Sequence, residues 1–207
     1  MARRPNRSGG GAKTNENGLS FEGRADLRDA ISEHPNYELD DQECVIDESG
    51  ELVAEYFEKH GLYKDYLEPN GVDWKYHISA KLLPDSALLV GETMYIIEKK
   101  YQETSGSVDE KLQTCVFKKQ QYEKLLNQIG ISVEYVYVFN DWFNQPRYDD
   151  VLEYIMDSGC FYYFNEILHI FATILVYLIK SLNIMRIYFI SRTIICLNIT
   201  ILREYNV

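Results

Sequence analysis

Asp85 follows Pro84, and thirteen residues later Glu98 stands in the run Ile96-Ile97-Glu98-Lys99-Lys100. Two carboxylates and an amine in this pattern are what a metal-assisted hydrolase needs. Side chains alternate along a strand, so Glu98 and Lys100 share one face while Ile97 and Lys99 share the other. If Asp85 lies on the adjoining strand, both carboxylates and the Lys100 amine converge. A pair of acidic oxygen ligands suits Mg2+, a hard cation that keeps several waters and is shared with substrate phosphate. A lysine beside it orients or deprotonates the attacking water and neutralises charge on a pentavalent phosphorus. Gln102 has the same parity as Glu98 and Lys100 and is expected at a solvated strand end next to the site.

The elements that must carry these residues are readable in outline. Residues 19–31 place Phe21, Leu27, Ala30 and Ile31 at helical spacing, which predicts an amphipathic helix entered through Asn15, Asn17 and Gly18. Residues 51–60 read as a second, acidic helix stopped at Gly61. Between Trp74 and Gln102 the pattern turns to β: a strand over 75–83, a turn at Pro84-Asp85, a strand over 87–90, a turn at Gly91-Glu92 and a strand over 93–102. A helix of about six turns is expected from Ser107, with Glu110 three residues on as a capping partner and Gly130 as the stop. Its apolar positions are Val108, Leu112, Cys115, Val116, Leu125, Leu126 and Ile129. Residues 132–140 alternate as a buried strand, 149–156 read as a short helix and 160–164 as a last strand. This order predicts an α/β layer arrangement around a mixed central sheet.

The chain has 207 residues, 21 Lys+Arg against 32 Asp+Glu, a formal net charge of −11, and 46% hydrophobic residues. That composition excludes general disorder and a disulfide mini-protein. It also argues against polyanion binding if the charge is spread evenly, which it is not. Residues 33–58 hold ten acids and no Lys or Arg, whereas the first thirteen residues carry Arg3, Arg4, Arg7 and Lys13 and no acid. The arm of residues 1–14 runs through Gly9-Gly10-Gly11 and is expected to contact DNA, with Lys13 and Asn15 as candidates. It lacks the Walker spacing and a preceding strand, so a nucleotide-binding loop is not expected. Lys111 and Lys118, two turns apart on one helical face with Tyr122 alongside, are candidates for phosphate contact. Asn140, Asp141, Asn144, Gln145 and Arg147 are candidates for reading base edges. Cys44, Cys115, Cys160 and Cys196 show no C-x-x-C pair and no metal-ligand spacing with the four histidines, which predicts a reduced, cytoplasmic protein without a zinc site.

Pro84-Asp85 with Glu98-Lys99-Lys100 resembles the PD-(D/E)xK signature of restriction-endonuclease-like nucleases. The segment Asn15-Glu16-Asn17-Gly18-Leu19-Ser20-Phe21-Glu22 is similar to the amino-terminal helix of bacterial type II restriction enzymes, where a glutamate often joins the metal site; here it is Glu22. The block from Val108 to Tyr122 and the segment from Gly159 to Glu166 resemble such enzymes too. The resemblance covers roughly residues 9–167 and marks 15–166 as a nuclease domain. It implies the restriction-endonuclease-like fold, a mixed central β-sheet flanked by helices. It also implies Mg2+ held by Asp85, Glu98 and Glu22, with Lys100 positioning water. The implied substrate is a specific sequence in double-stranded DNA, cut by a homodimer and accompanied by a DNA methyltransferase. Some relatives in the wider superfamily carry a Gln-xxx-Tyr pair on the helix after the core strand; the residue four before Tyr122 is Lys118, so that pair is missing.

Residues 167–207 depart from this pattern. They contain no Gly, Pro, Asp or Gln, but 11 Ile and 6 Leu in 41 positions. The longest uncharged run, 167–179, has 13 residues, against the roughly 20 a membrane span needs. Three readings stay open for the whole chain: an active restriction enzyme, a catalytically disabled remnant with a frameshifted or read-through tail that still binds DNA, and a membrane-associated protein with a nuclease-like domain.

Overall fold

The computed structural model describes Phe21, residues 26–104 and residues 108–165, all within one compact unit, Met1–Phe171. Glu22, Lys13, Asn15, Glu166 and the Ile-rich tail lie outside the described residues. Among the described residues no helix is long and apolar enough to cross a membrane.

A seven-stranded mixed sheet forms the frame, and its spatial order follows the chain order. Strands β1 (Tyr37–Leu39), β2 (Cys44–Asp47), β3 (Leu52–Phe57), β4 (Ser86–Val90) and β5 (Thr93–Lys100) form an antiparallel meander. β6 (Ser132–Phe139) then pairs parallel to β5, and β7 (Phe161–Phe164) parallel to β6. Parallel neighbours need a crossover connection. The first crossover is α2 (Val108–Lys111) with α3 (Cys115–Leu126); the second is α4 (Asp149–Asp157). The expected mixed α/β layering is therefore what the chain adopts.

Strand alternation divides the core in two. One face carries Ala87, Leu89, Met94, Ile96, Val133, Tyr135, Tyr137 and Phe139, packed against Leu112, Cys115, Tyr122 and Leu125 of the first crossover and Leu152 and Ile155 of α4. Both crossover helices thus cover the same face, the arrangement that successive right-handed connections produce. The opposite face presents Ala54, Tyr56, Leu88, Ile97 and Val136, all nearly inaccessible to water. The short helix α1 (Leu27–Ser32) belongs to that side: Asp26 caps it by accepting from the Arg28 amide at 2.9 Å, Lys99 reaches Asp26 at 3.5 Å, and the Arg28 guanidinium lies 5.2 Å from the Tyr56 ring centre. Phe21 is helical and packs on Tyr101 with ring centroids 5.5 Å apart.

Two expectations change. Residues 51–60 are not a helix but supply β3, an interior strand paired with β2 and β4. The signal that decides this is the hairpin turn before it: Asp47 Oδ1 accepts from the backbone amides of Ser49 at 2.8 Å and Glu51 at 3.0 Å, and Gly50 sits at φ +80°. Such an Asx turn sends the chain back along itself, and the acidic run 33–58 folds into β1 to β3. Residues 75–83 are not a strand; they form a 3-10 turn at Trp74–Tyr76 followed by irregular chain. Tyr76 is 85% exposed whereas Ile78, of the same parity, is only 6% exposed, so burial does not follow strand alternation here. Between them, where the sequence pattern assigns no element, Leu62–Leu67 forms a π-helical turn just past Gly61 and buries Leu62, Tyr63 and Leu67.

Ser107, the expected start of the long helix, lies outside the described residues; from Val108 on the helix is found with an interruption, a 3-10 turn at Leu112–Thr114 between α2 and α3. It ends where expected. Gly130 adopts φ +76° and the Ile131 amide returns to the Leu126 carbonyl at 3.1 Å, a left-handed cap that favours glycine. A Cβ at Gly130 meets nothing within 4 Å, so only backbone strain opposes a side chain. Gly130→Ala is expected to lower stability by about 1 kcal/mol, read from urea unfolding; a neutral result would show that the cap relaxes without cost.

Candidate active site

β5 is where the sheet changes character, antiparallel to β4 on one side and parallel to β6 on the other. Its carboxyl end carries Glu98 and Lys100 on the α3 face, with Glu98 beside Tyr137 and Lys100 beside Phe139 in the parallel register. Asp85 immediately precedes Ser86, which pairs with Ile97, so Asp85 stands opposite Glu98. Its Oδ2 accepts from the Lys99 backbone amide at 2.7 Å, fixing the carboxylate to the rim of β5.

The irregular segment before β4 is held in place, which explains how a chain without strand structure delivers Asp85. The Tyr63 hydroxyl donates to the Leu82 carbonyl at 2.7 Å and accepts from the Leu82 amide at 3.2 Å. The Lys59 amide donates to the Pro84 carbonyl at 3.2 Å. Two clamps within four residues thus set the approach of Asp85 to the sheet.

Glu98 is 7% exposed. Its Oε2 accepts from Lys100 Nζ at 2.7 Å and its Oε1 from Lys118 Nζ at 3.0 Å. Lys100 also donates to the Lys99 carbonyl at 3.0 Å and lies 5.8 Å from the Tyr137 ring centre. Burial pushes the Glu98 carboxyl up, but the ammonium groups of Lys100 and Lys118 outweigh it and hold the group below its ordinary value of 4.5. An acid depressed by folding adds stability that is complete above its unfolded value and is lost as pH falls through its lower folded value. Accordingly, the melting-temperature gap between the natural chain and Glu98→Gln should be constant from pH 7 to about 5 and should close as the acid range below 4.5 is crossed. A gap that widens on acidification would contradict the ion-pair geometry.

Tyr122, Tyr135 and Tyr137 wall the inner side, and all three are fully buried. Burial raises the Tyr122 phenol, and the charges of Glu98 and Asp85 both add to that, so its hydroxyl senses both acids. No hydrogen-bond partner reaches this hydroxyl among the described residues.

The sequence-predicted residues divide accordingly. Asp85, Glu98 and Lys100 come together; Glu22, Lys13 and Asn15 lie outside the described residues. Gln102 is not a solvated strand end but 7% exposed, with its backbone amide on Asn140 Oδ1 at 3.1 Å and its carbonyl receiving Asn140 Nδ2 at 2.8 Å. Lys111 is exposed at the end of α2, whereas Lys118 turns inward to Glu98 and Tyr122 is inaccessible. These three do not make one basic surface. Of the candidate base-reading residues, Asn140 is tied to Gln102, and Arg147 stacks on Trp142 and Tyr148 at 4.9 and 4.6 Å beside a cleft of about 630 Å³ that also includes Glu110 and Asp150. Two residues went unread in the sequence: Lys118 as a partner of Glu98, and Asp26 as the partner that keeps Lys99 on the opposite face.

No group of three or more His, Cys, Asp and Glu side chains gathers at one point among the described residues. Two oxygen acids facing each other still fit the chemistry of Mg2+, which is commonly bound through one or two carboxylates with waters and substrate phosphate completing its shell. Comparison with protein-family models and with curated proteins gives no match for the chain.

Proposed function

We propose that the chain is a type II restriction endonuclease of the PD-(D/E)xK kind, hydrolysing phosphodiester bonds at a specific sequence in double-stranded DNA. The observation that carries this reading is the convergence of Asp85, Glu98 and Lys100 at the carboxyl end of β5, where Lys100 Nζ stands 2.7 Å from the carboxylate it shares the face with. The order of elements supports it as well: an antiparallel meander, a helical crossover and a parallel strand around a single acidic and basic rim.

Asp85 and Glu98 would hold Mg2+, and Glu22 is proposed as a third contributor on the resemblance alone. When bound, the cation polarises the phosphate and acidifies a coordinated water. Lys100 has its own part: from the strand end it hydrogen-bonds a water, orients it in line with the phosphorus, and neutralises charge as the P–O bond to the leaving oxygen breaks. Tyr122, Tyr135 and Tyr137 keep bulk water from the inner side, which strengthens every charge interaction at the rim. A homodimer matched to a symmetric site and a companion methyltransferase follow from the resemblance, and a cytoplasmic setting from the cysteine pattern; all three belong to the same proposal.

Purified chain incubated with unmethylated plasmid and Mg2+ tests the reading. Discrete fragments that disappear in Asp85→Ala and on chelation of the metal support it. Intact plasmid with cooperatively folded protein overturns it.

A further inference from the structure

Glu98 carries one negative charge and meets two positive ones. Lys100 belongs to the strand motif; Lys118 does not, arriving from α3 with its side chain 24% exposed and its Nζ 3.0 Å from Oε1. Both oxygens of the carboxylate are therefore engaged by ammonium groups. A divalent cation that binds Glu98 must take an oxygen from one of them, and two cations cannot share Oε1 at contact distance without strong repulsion. Lysine is suited to giving way, because its ammonium sits on a flexible four-carbon stem and is readily rehydrated.

Tyr122 adds a second, independent observation. It lies four residues after Lys118 on the same face of α3, and its hydroxyl is buried without a partner among the described residues. A buried hydroxyl left this way costs stability unless water or a ligand satisfies it, and water in a metal's shell is such a partner.

We propose that Lys118 is a tethered counter-ion of Glu98 that a divalent cation displaces, so that the Lys118–Glu98 ion pair and metal binding exclude one another. Lys118 is then a positioning residue: it holds the Glu98 carboxylate in place before the metal arrives. The inference rests on the nuclease reading of the site and goes beyond it, since it assigns the helix lysine a role in metal loading instead of contact with DNA.

Calorimetric titration of Mg2+ or Mn2+ into the full chain at neutral pH, without DNA, separates the possibilities. Lys118→Met should bind the cation about tenfold more tightly than the natural chain, because the competing charge is gone. Lys118→Arg, which keeps the charge, should return affinity to the natural level or below it. In the natural chain, the NMR signal of the Lys118 Cε–Nζ group should shift as the cation is added. A purely structural ion pair predicts the opposite: weaker or unchanged binding in Lys118→Met and a static Lys118 signal. Either result overturns the counter-ion role and leaves the nuclease reading standing. Absence of binding by both the natural chain and Lys118→Met overturns the metal reading along with it. Should Lys118→Met fail to fold, the natural chain's Lys118 signal decides alone.

Discussion

Lys100→Met is expected to slow metal-dependent DNA cleavage by about a thousandfold while the protein stays folded. The two effects separate because of how Glu98 is partnered. Lys100 stands at the end of β5 with its side chain 18% exposed, so it reaches both the carboxylate and solvent water. Its removal takes away the group that orients and stabilises the attacking water, but Glu98 keeps Lys118 at 3.0 Å. The buried acid is not orphaned, and the stability cost should stay at about 2 kcal/mol, the scale of one charged hydrogen bond. Single-turnover cleavage rates and urea unfolding measured on the same preparation give the two quantities. A variant that cuts within tenfold of the natural rate removes Lys100 from the chemistry. One that has lost several kcal/mol makes its role structural.

The parts of the site that follow a short-range rule were legible in the sequence. Alternation alone puts Glu98 and Lys100 on one face and Lys99 on the other, and Lys99 does turn away, to Asp26 at 3.5 Å. Convergence of Asp85 with Glu98 depends in the sequence on Asp85 lying on the adjoining strand; Asp85 instead immediately precedes that strand, next to the position paired with Ile97, and the chain leading to it is irregular. What sets Asp85 is the Tyr63 clamp on Leu82, a contact across 19 residues that no local pattern announces. Lys118 was seen as a surface cation because helical spacing gives a face without saying what the face meets. Only the packing of α3 on the sheet turns it toward Glu98. The error at β3 has a different origin: Glu51, Ala54, Glu55, Glu58 and Lys59 favour helix locally, but the Asp47 to Gly50 turn and burial between two strands override propensity.

Glu98→Ala is expected to be the most destabilising single change at the rim, costing about 3 kcal/mol. The magnitude comes from what is left behind more than from the contact removed. Lys100 and Lys118 have side chains only 18% and 24% exposed, and without the carboxylate two like charges face each other across the vacated space. Their long stems allow partial escape to solvent, which places the figure at the low end of the range for breaking a buried pair. Pairing the change with Lys118→Met sharpens the test. If repulsion between the two ammoniums supplies much of the cost, the double variant should be more stable than the sum of the single losses by about 1 to 2 kcal/mol. Urea unfolding of the four proteins at pH 7 measures this coupling. Additive losses would mean that Lys118 and Glu98 are near neighbours without energetic consequence, and the counter-ion role would fall with that result. A clear coupling would instead show that the charge balance of the rim is set by three side chains, one acid and two bases, before any metal or DNA arrives.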